Sequence, residues 1–506
     1  MPSRVYSATT FGMEGKIIEI EADTAPGQPV FNIVGLPDTA VKESRDRFSA
    51  AIRNSGFKPP HFFGRATINW APADLKKEGP SFDFPIALGV LLASKQLEKL
   101  PENSVFLGEL SLDGKLRKIK GVLPIAISLA EKGYEKIFLP QENAEEANLV
   151  EKIQVFSVKN IRQFSAFLKK ELVLEPLEKK PFSWDNAQQE QPFDFAFIKG
   201  QEQAKRALEI AVGGGHNILL CGPPGSGKTM LARSVCSIMP PMTMEEAFET
   251  TKIYSISGLT GSEKHLITQR PFRSPHHSAS AVSLVGGGTY PRPGEISLAN
   301  RGVLFLDEFP EFSREVIENL RGPLEDGQVS IARAQGSLTF PARFILIAAM
   351  NPCPCGNATD PEKHCVCSPS QIIRYRQKLS GPIIDRIDLH IEVPRLKFEK
   401  LSNDRLAEKS SAIQERISRV GQIQKERFKD CGIYTNAEMS SRHLRQFAVI
   451  GPDEKDLLRR LIAQMGLSPR GYYRLLKVAR TIADMEEKTQ IQTKHLAEAA
   501  QYRFRE

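Results

Sequence analysis

The sequence predicts an α/β protein: a parallel sheet covered by helices, followed by a helical region and preceded by a second, α/β or α+β, domain. Three observations support this. A strand-like run enters a glycine-rich G-x-x-x-x-G-K-T motif at 222–229, strand-like and helix-like runs alternate to about Val393, and apolar residues recur three or four apart after Phe398. Alternating strands and helices are typical of a parallel sheet with helices on both faces.

The composition is that of a globular chain. Of 506 residues, 41% are hydrophobic and 25% are charged. The longest apolar run begins at Ile86 and is far shorter than the ~20 residues of a membrane span, and the N-terminus alternates polar and apolar residues, unlike a secretory signal. The net charge of +8 is compatible with nucleic acid but is spread over a long chain. We therefore expect a cytoplasmic protein.

Four regions follow from composition and periodicity. Residues 1–171 carry short strand-like runs between helix-like ones, and residues 172–192 form a polar, proline-containing linker. Residues 193–396 alternate strands and helices, and residues 397–506 are almost purely helical.

The most specific motif is the P-loop. An apolar strand from Asn217 to Cys221 runs into the motif, and a helix-like run follows, so a chance glycine-rich turn is a poor alternative. Backbone N–H groups of such a loop hold phosphates, Lys228 reaches the terminal phosphates, and Thr229 can ligate Mg²⁺. The predicted nucleotide-binding residues are Gly222, Pro223, Pro224, Gly225, Ser226, Gly227, Lys228 and Thr229.

Polar residues at the ends of two further strands complete the predicted site. In "GVLFLDE", Asp307 is expected to hold Mg²⁺ and Glu308 to polarise the attacking water. In "FILIAAMNP", Asn351 ends the strand and is expected to orient that water. The alternatives are an exposed turn for the acidic pair and a strand cap for the asparagine.

The motifs "GPPGSGKT", "GVLFLDE", "AAMNPCPCG" and "LSGPIIDRIDLHIEV" resemble those of the magnesium-chelatase-like branch of the AAA+ ATPases, and within it the chain is similar to the ComM (YifB) group of bacterial proteins. The motifs occur in the family's order, and the resemblance covers essentially the whole chain. It implies an AAA+ P-loop αβα sandwich with a helical lid, a homo-hexameric ring, and ATP sites between subunits.

The resemblance also assigns roles to residues outside the P-loop. Arg386 matches the arginine finger that reaches the neighbouring subunit's γ-phosphate; the alternative is a surface arginine paired with a nearby aspartate. Arg470 matches the sensor arginine of the lid, with Arg474 one turn later as a competitor. Ile198 matches the residue against the adenine base.

A further segment points to DNA. The run "DGQVSIARAQGSLTFPARF" predicts a β-hairpin with Arg333 near its tip. In related helicases of this branch, such a hairpin and a helix-interrupting loop line the pore and grip DNA, which implies that Arg333 contacts phosphate. The alternative is a hairpin that only extends a sheet. His276 and His277, in an "SPHHS" loop, are expected to pack or cap rather than bind metal.

Four of the seven cysteines lie within fifteen positions, as C-x-C-x9-C-x-C. In a reducing cytosol this pattern favours metal ligands or redox groups over structural disulfides, and four thiolates suit tetrahedral Zn²⁺. The predicted zinc ligands are Cys353, Cys355, Cys365 and Cys367, with His364 as a possible replacement and free thiols as the alternative. Cys221, Cys236 and Cys431 are interpreted as small apolar residues.

The N-terminal region resembles the proteolytic domain of Lon. The runs "KKEGPSFDFPIALGVLLAS" and "FLGELSLDGKLRKIKGVLPIAISLAEKGYEKIFLP" carry this resemblance, and Ser81 occupies the place of the nucleophile. The lysine base should fall shortly after Gly121, where this chain has Leu123. Because an unactivated serine is a poor nucleophile, we expect an inactive α+β Lon-protease-like domain used for assembly or DNA contact.

The resemblance thus implies an ATP- and Mg²⁺-dependent DNA helicase that promotes branch migration of recombination intermediates during natural transformation. Its expected partners are single-stranded and branched DNA, copies of itself and recombination proteins. Two alternatives stay open: a chelatase-type motor that remodels a protein partner, and an ATP-dependent protease.

Overall fold

The structure, a computed structural model, describes residues 2–34, 39–72, 80–179, 193–261, 265–288, 291–333, 336–396 and 406–503. The chain divides into two compact units, the first comprising Met1–Trp184 with Ala247–Ile267, and the second Asp185–Glu246 with Thr268–Glu506. The division between Trp184 and Asp185 falls inside the predicted linker 172–192, whereas residues 247–267, which were predicted to lie in the ATPase core, join the first unit. Within the described ranges, every helix is too short or too polar to span a lipid bilayer.

The first unit is α+β, as predicted. Its strands are β1 Ser3–Phe11, β2 Glu14–Ala25, β3 Val30–Val34, β4 Arg65–Ala71, β5 Ser104–Phe106, β6 Glu109–Leu110, β7 Leu116–Arg117, β8 Lys136–Pro140 and β9 Gln154–Val158. Its helices are α1 Thr39–Asn54, α2 Asp83–Ala93, α3 Val122–Glu131, α4 Gln141–Asn148, α5 Ile161–Leu168 and most of α8 Met244–Ser257.

Two sheets organise this unit. One is a four-stranded sheet of order β1-β2-β4-β3, in which only β3 and β4 pair in parallel, and the other is a parallel sheet of order β5-β8-β9. Helix α2 is apolar on all sides and buried along most of its length, as expected of a helix inside a core.

The second unit is built on a five-stranded parallel sheet. Its order is β11-β14-β17-β10-β18, with bounds β10 Ile218–Cys221, β11 Phe272–Arg273, β14 Val303–Leu306, β17 Ile345–Met350 and β18 Leu389–Glu392. Helices α6 Glu202–Gly214 and α7 Lys228–Ile238 pack on it. Strands β10, β14 and β17 are continuous apolar runs because a parallel sheet is covered on both faces. The edge strand β18 differs, since it contains His390 and Glu392. The predicted α/β core is confirmed.

Short elements decorate this sheet. Between β11 and β14 lie α9 Ala281–Val285, the strand pair β12 Gly286–Gly287 and β13 Arg292–Pro293, and α10 Glu295–Leu298. After β14 come α11 Arg314–Asn319, α12 Arg321–Asp326 and the hairpin of β15 Gln328–Arg333 and β16 Gly336–Pro341. Helices α13 Pro369–Arg376 and α14 Gly381–Ile384 precede β18. The predicted β-hairpin is thus confirmed.

The C-terminal region is helical, as predicted. It comprises α15 Ser410–Arg427, α16 Ser441–Phe447, α17 Pro452–Met465, α18 Pro469–Met485 and α19 Thr493–Gln501. Its apolar side chains join those of the sheet and α6 in one core, for example Leu208, Phe305, Ile417 and Leu475. The predicted linker 172–192 has no helix or strand over 172–179, and 180–192 lie outside the described residues.

Candidate active site

The P-loop connects strand β10 to helix α7. Cys221 ends β10 in register with Met350 of β17, and α7 begins at Lys228. Gly225 and Gly227 have φ angles of 77° and 92°, which glycine adopts without strain. The first turn of α7 also has N–H groups without a partner inside the helix. This loop therefore offers several backbone donors to an anion.

Lys228 lies within this loop and is buried. Its Nζ donates to the carbonyl oxygens of Gly222 (2.7 Å) and Pro223 (2.9 Å) and to Oδ1 of Asn351 (3.3 Å). Burial lowers the pKa of Lys228, and the charge of Asp307 opposes that shift. The ammonium group is thus held between the P-loop and the end of β17, so the structure brings Lys228 and Asn351 together.

The two predicted Mg²⁺ ligands are also in contact. The hydroxyl of Thr229 donates to Oδ2 of Asp307 over 2.9 Å. Hard oxygen donors of this kind suit Mg²⁺. The hydroxyl of Ser226 is buried and lacks a hydrogen-bond partner among the described residues. An unsatisfied P-loop hydroxyl beside an oxygen pair fits a nucleotide phosphate with its Mg²⁺.

Glu308 follows Asp307 with its backbone at φ 50°, in the left-handed region. Its Oε2 lies 3.2 Å from Nδ1 of His277, a contact that the sequence analysis missed. His276 does cap, as predicted: its Nδ1 lies 2.8 Å from the hydroxyl of Ser278. The only available signal was indirect, since His277 follows β11, the neighbour of β14 in the sheet.

The predicted adenine residue lies at the entrance to α6. Ile198 is buried in the core of the second unit. Gln201, at the start of α6, donates to the carbonyl oxygens of Ser226 (3.4 Å) and Pro394 (2.7 Å). The segment containing Ile198 is therefore tied to the P-loop by a side-chain contact.

Arg386, the predicted arginine finger, is buried. Its guanidinium forms an ion pair with Glu325 and donates to the carbonyl oxygen of Pro382 over 2.7 Å. The sequence alternative of a pair with a neighbouring aspartate is not what the structure has, because the partner comes from α12. Arg386 would have to leave Glu325 to reach another subunit.

The two candidate sensor arginines differ in their surroundings. Arg474 forms a buried ion pair with Asp388 and donates to the carbonyl oxygen of Arg386 over 3.2 Å. Burial opposes ionisation of Asp388, but Arg474 and then His216 outweigh it and hold the pKa of Asp388 below its usual range. Arg470 is exposed in the first turn of α18. Of the two, Arg470 is the one whose position leaves it accessible to a ligand.

The four predicted zinc ligands converge. Their thiol sulfurs lie within 4.8 Å of one another, with Cys353 3.4 Å from Cys355 and 3.7 Å from Cys365. Cys367 completes the group, and His364 is not part of it. Four thiols at such distances fit a tetrahedral zinc ion, in which neighbouring sulfurs are bridged by Zn–S bonds of about 2.3 Å.

The predicted DNA-contacting residue ends the first strand of the hairpin. Arg333 pairs in register with Gly336, so it lies next to the turn. Its side chain and residues 334–335 lie outside the described residues. The position of Arg333 along the hairpin is therefore as predicted, and its contact with DNA stays a prediction.

The first unit lacks the lysine of the Lon-type site. Leu123 is buried in the first turn of α3, and its amide donates to Oε1 of Glu146 over 3.0 Å. Ser81 is half-buried, and its carbonyl oxygen accepts from the amide of Gly108 over 3.0 Å. The side chain of Leu123 has no group that can act as a base, so this position cannot activate a serine nucleophile.

Three protein-family models match the chain. Residues 194–401 match the magnesium chelatase subunit ChlI, residues 20–143 match the subunit ChlI of Mg-chelatase, and residues 407–503 match the C-terminal part of the magnesium chelatase subunit ChlI.

Two curated relatives cover almost the whole chain, and a third covers about one third of it. The competence protein ComM of Haemophilus influenzae is 44% identical over 508 residues, which cover 99% of this chain and 97% of the relative. The protein YifB of Escherichia coli is 42% identical over 504 residues, which cover 99% and 97% of the two chains. Lon protease 2 of Bacillus subtilis is 27% identical over 186 residues, which cover 33% of this chain and 32% of the relative.

Proposed function

The chain belongs to the ComM (YifB) family of magnesium-chelatase-like AAA+ ATPases, and from that premise we propose that it is an ATP-driven motor that acts on DNA. The observation that carries the ATP-hydrolysis part of the proposal is the meeting of Lys228, Asn351, Thr229 and Asp307 at the ends of three adjacent parallel strands.

In the proposed mechanism, the P-loop amides and Lys228 bind the phosphates of ATP. Nζ of Lys228 exchanges the carbonyl oxygens of Gly222 and Pro223 for phosphate oxygens. Meanwhile, Oδ1 of Asn351 keeps the ammonium group of Lys228 in place. Thr229 and Asp307 would hold Mg²⁺, which neutralises charge on the phosphates when bound.

Glu308 orients the attacking water and receives its proton as the water oxygen bonds to the γ-phosphorus. The bond from that phosphorus to the β–γ bridging oxygen breaks, and ADP leaves with this oxygen. Its carboxylate is partly exposed, with just over half of the side-chain surface accessible, so a water molecule can approach it. Asn351 is proposed to orient the same water from the end of β17. The proposed site thus combines what phosphoryl transfer to water requires: hydrogen-bond donors that bind phosphate, oxygen ligands for Mg²⁺ and a carboxylate base.

The remaining positive charge is proposed to come from arginines, one of them on a neighbouring subunit. We propose a homo-hexamer in which Arg386 reaches the γ-phosphate of the neighbouring subunit and Arg470 contacts the nucleotide from the lid. A guanidinium matches the charge that develops on the transferred phosphoryl group. Family membership and the exposure of Arg470 support this assignment.

DNA is proposed as the substrate. Support comes from the similarity to the competence protein ComM and from the hairpin 328–341 with Arg333 beside its turn. A basic residue at a hairpin turn can contact the DNA backbone without reading sequence. We propose branch migration on single-stranded and branched DNA during natural transformation, with recombination proteins as further partners.

The cysteine cluster is proposed to hold one structural Zn²⁺. Its four sulfurs converge in the loop that leaves β17, two residues after Asn351. A closed set of four thiolates leaves no position for substrate, so the ion would support the fold of the loop.

The test is the ATPase rate of the purified protein with and without single-stranded and forked DNA. Glu308→Gln serves as the inactive reference, and Glu311→Gln, an exposed glutamate three residues later, serves as the matched control. Stimulation by DNA in the parent and in Glu311→Gln, with none in Glu308→Gln, is expected. Turnover that no DNA changes would contradict the DNA proposal and favour a motor that remodels a protein.

A branch-migration assay on a synthetic four-way junction follows. The parent protein with ATP is expected to separate the junction, and Glu308→Gln is not. Degradation of casein that depends on ATP and is lost in Ser81→Ala would instead favour a protease, against the absence of a lysine at Leu123.

A further inference from the structure

Residues 247–267 lie within the ATPase sequence but belong structurally to the first unit. The chain leaves the P-loop helix α7 at Ile238, enters α8 at Met244, and joins the first unit from Ala247 onward. It returns to the second unit at Thr268, just before β11. We call residues 247–267 the coupling segment.

The coupling segment is flanked by Glu246 and Arg270, which both belong to the second unit, and we call these flanking ends the base of the segment. The guanidinium of Arg270 donates to Oε2 of Glu246 (3.0 Å) and to the carbonyl oxygens of Pro240 (2.6 Å) and Arg301 (2.7 Å). Pro240 follows the P-loop helix, and Arg301 precedes β14, the strand that leads to Asp307. One guanidinium thus connects the base of the segment to two elements of the nucleotide site.

Glu146 holds the middle of the coupling segment within the first unit. Its carboxylate is buried and accepts hydrogen bonds from the hydroxyls of Ser255 and Thr260, both in the coupling segment, and from the amide of Leu123. The Thr260 contact is 3.3 Å and the Leu123 contact is 3.0 Å. Hydrogen bonds to an ionised acceptor are stronger than neutral ones, and a buried carboxylate is costly without them.

Further contacts lie on the same face of the first unit. The amide of Gly121 donates to the carbonyl oxygen of Ser255 over 3.0 Å, and Nζ of Lys118 donates to the carbonyl oxygen of Thr260 over 2.9 Å. Lys118, Gly121 and Leu123 lie in the stretch in which a Lon-type protease would carry its lysine. In this chain, that stretch contacts the coupling segment instead.

We propose that the coupling segment transmits the state of the nucleotide site to the N-terminal unit, and that Glu146 is the positioning residue that keeps the segment attached there. The proposal rests on nucleotide binding at the P-loop, as proposed above, and is independent of DNA. The N-terminal unit, which lacks the Lon-type lysine, would then change its conformation with the nucleotide state of the P-loop.

Hydrogen exchange of the full chain tests this without DNA. In a Glu308→Gln background, Mg²⁺ and ATP are expected to change amide exchange both in the P-loop and at residues 118–131. Glu146→Ala in that background is expected to keep the P-loop response and to reduce the response at 118–131 roughly threefold or more. Glu145→Ala, which changes the exposed neighbour, is expected to match the background.

A second variant guards against unfolding of the first unit. Ser255→Ala removes one donor to Glu146 from the segment and leaves the amide of Leu123 in place, so the same loss is expected at smaller size. An unchanged response at 118–131 in both variants would overturn the proposal, as would its absence in the background. If the P-loop itself did not respond, nucleotide binding and the proposed function would fail as well.

Discussion

Nδ1 of His277 lies 3.2 Å from Oε2 of Glu308, so the proposed water-activating carboxylate is already engaged through one of its oxygens. The backbone of Glu308 has a φ angle of 50°, and both side chains are partly exposed. A half-exposed glutamate has several accessible rotamers, and ordering it costs free energy. The imidazole restricts that freedom and points the carboxylate in one direction.

The first prediction concerns His277. His277→Ala is expected to lower the kcat of ATP hydrolysis by about 10- to 100-fold, because a misplaced base loses much of its effect. The KM for ATP should change little, since the phosphate contacts of Lys228 and the P-loop stay in place. Steady-state ATPase kinetics with the two parameters separated provide the measurement.

His276→Ala is the matched control for this prediction. His276 caps its own loop through Ser278 and does not contact Glu308 in the described structure, although its ring packs on that of His277 with the centroids 4.1 Å apart. Its loss should therefore lower kcat much less than His277→Ala does. An equal fall in both variants would point to a disordered loop. A His277→Ala rate equal to that of the parent would show that the contact does not position Glu308.

The second prediction separates Arg474 from Arg470. Arg474→Ala leaves the buried carboxylate of Asp388 without its main cation and is expected to cost about 3–5 kcal/mol of unfolding free energy. Arg470→Ala changes an exposed residue and should stay within about 0.5 kcal/mol of the parent, while lowering ATP hydrolysis. Urea unfolding and ATPase rates of both variants are the measurements.

The pH dependence of the Arg474 effect has a definite sign. The pKa of Asp388 is held below its usual range in the folded chain, so its contribution is complete above the unfolded value of about 3.9 and declines below it. The difference in stability between parent and Arg474→Ala should therefore be constant at neutral pH and shrink below about pH 4. A difference that grew in acid would contradict this assignment.

Much of the nucleotide site could be predicted because each of its groups lies within a recognisable local sequence pattern. Strand, glycine-rich loop and helix are adjacent around Lys228, and Asp307 and Asn351 each end an apolar run that had to be a buried strand. Parallel strands place their carboxyl ends at one edge of the sheet, so the meeting of these residues followed from the pattern.

Other features depend on contacts between distant segments. The pairs of His277 with Glu308, of Arg386 with Glu325 and of Arg474 with Asp388 join loops or helices whose packing no local period encodes. The transfer of residues 247–267 to the first unit is of the same kind, because α8 has a helical pattern whichever unit it packs on. Sequence motifs identify chemistry here, and tertiary packing decides the partners.

The third prediction concerns Arg386 and Glu325. Arg386→Ala is expected to assemble but to lose hydrolysis by about 10³-fold, the order of magnitude measured for arginine fingers. Glu325→Gln keeps the shape of the partner but removes its charge, so release of Arg386 should become easier and hydrolysis should be unchanged or faster. Sedimentation and ATPase rates provide the measurements.

Mixed rings test whether Arg386 acts across subunits. Combining Arg386→Ala with Lys228→Ala subunits should restore part of the activity, because some interfaces then pair an intact P-loop with an intact arginine. Complete absence of rescue, with mixed assembly verified, would exclude an action of Arg386 on the neighbouring site.

The last prediction concerns the cysteine cluster. The purified protein is expected to contain one zinc per chain, and the double variant Cys365→Ser, Cys367→Ser is expected to lose it. Gly356, within the cluster loop, approaches the P-loop so closely that a Cβ at this position would lie 2.6 Å from Cδ of Pro224. Since the same loop begins at Asn351, loss of the metal should disturb two parts of the nucleotide site.

The ATPase rate of the zinc-free double variant should therefore fall by about 10- to 100-fold, the range seen when groups that support a site are removed. Cys431→Ser, which changes a cysteine outside the cluster, should retain both zinc and activity. Metal analysis by mass spectrometry and ATPase assays on the same samples decide between the outcomes. Full activity in a metal-free double variant would show that the cluster does not support the nucleotide site, because Asn351 and Pro224 would then keep their positions without the ion.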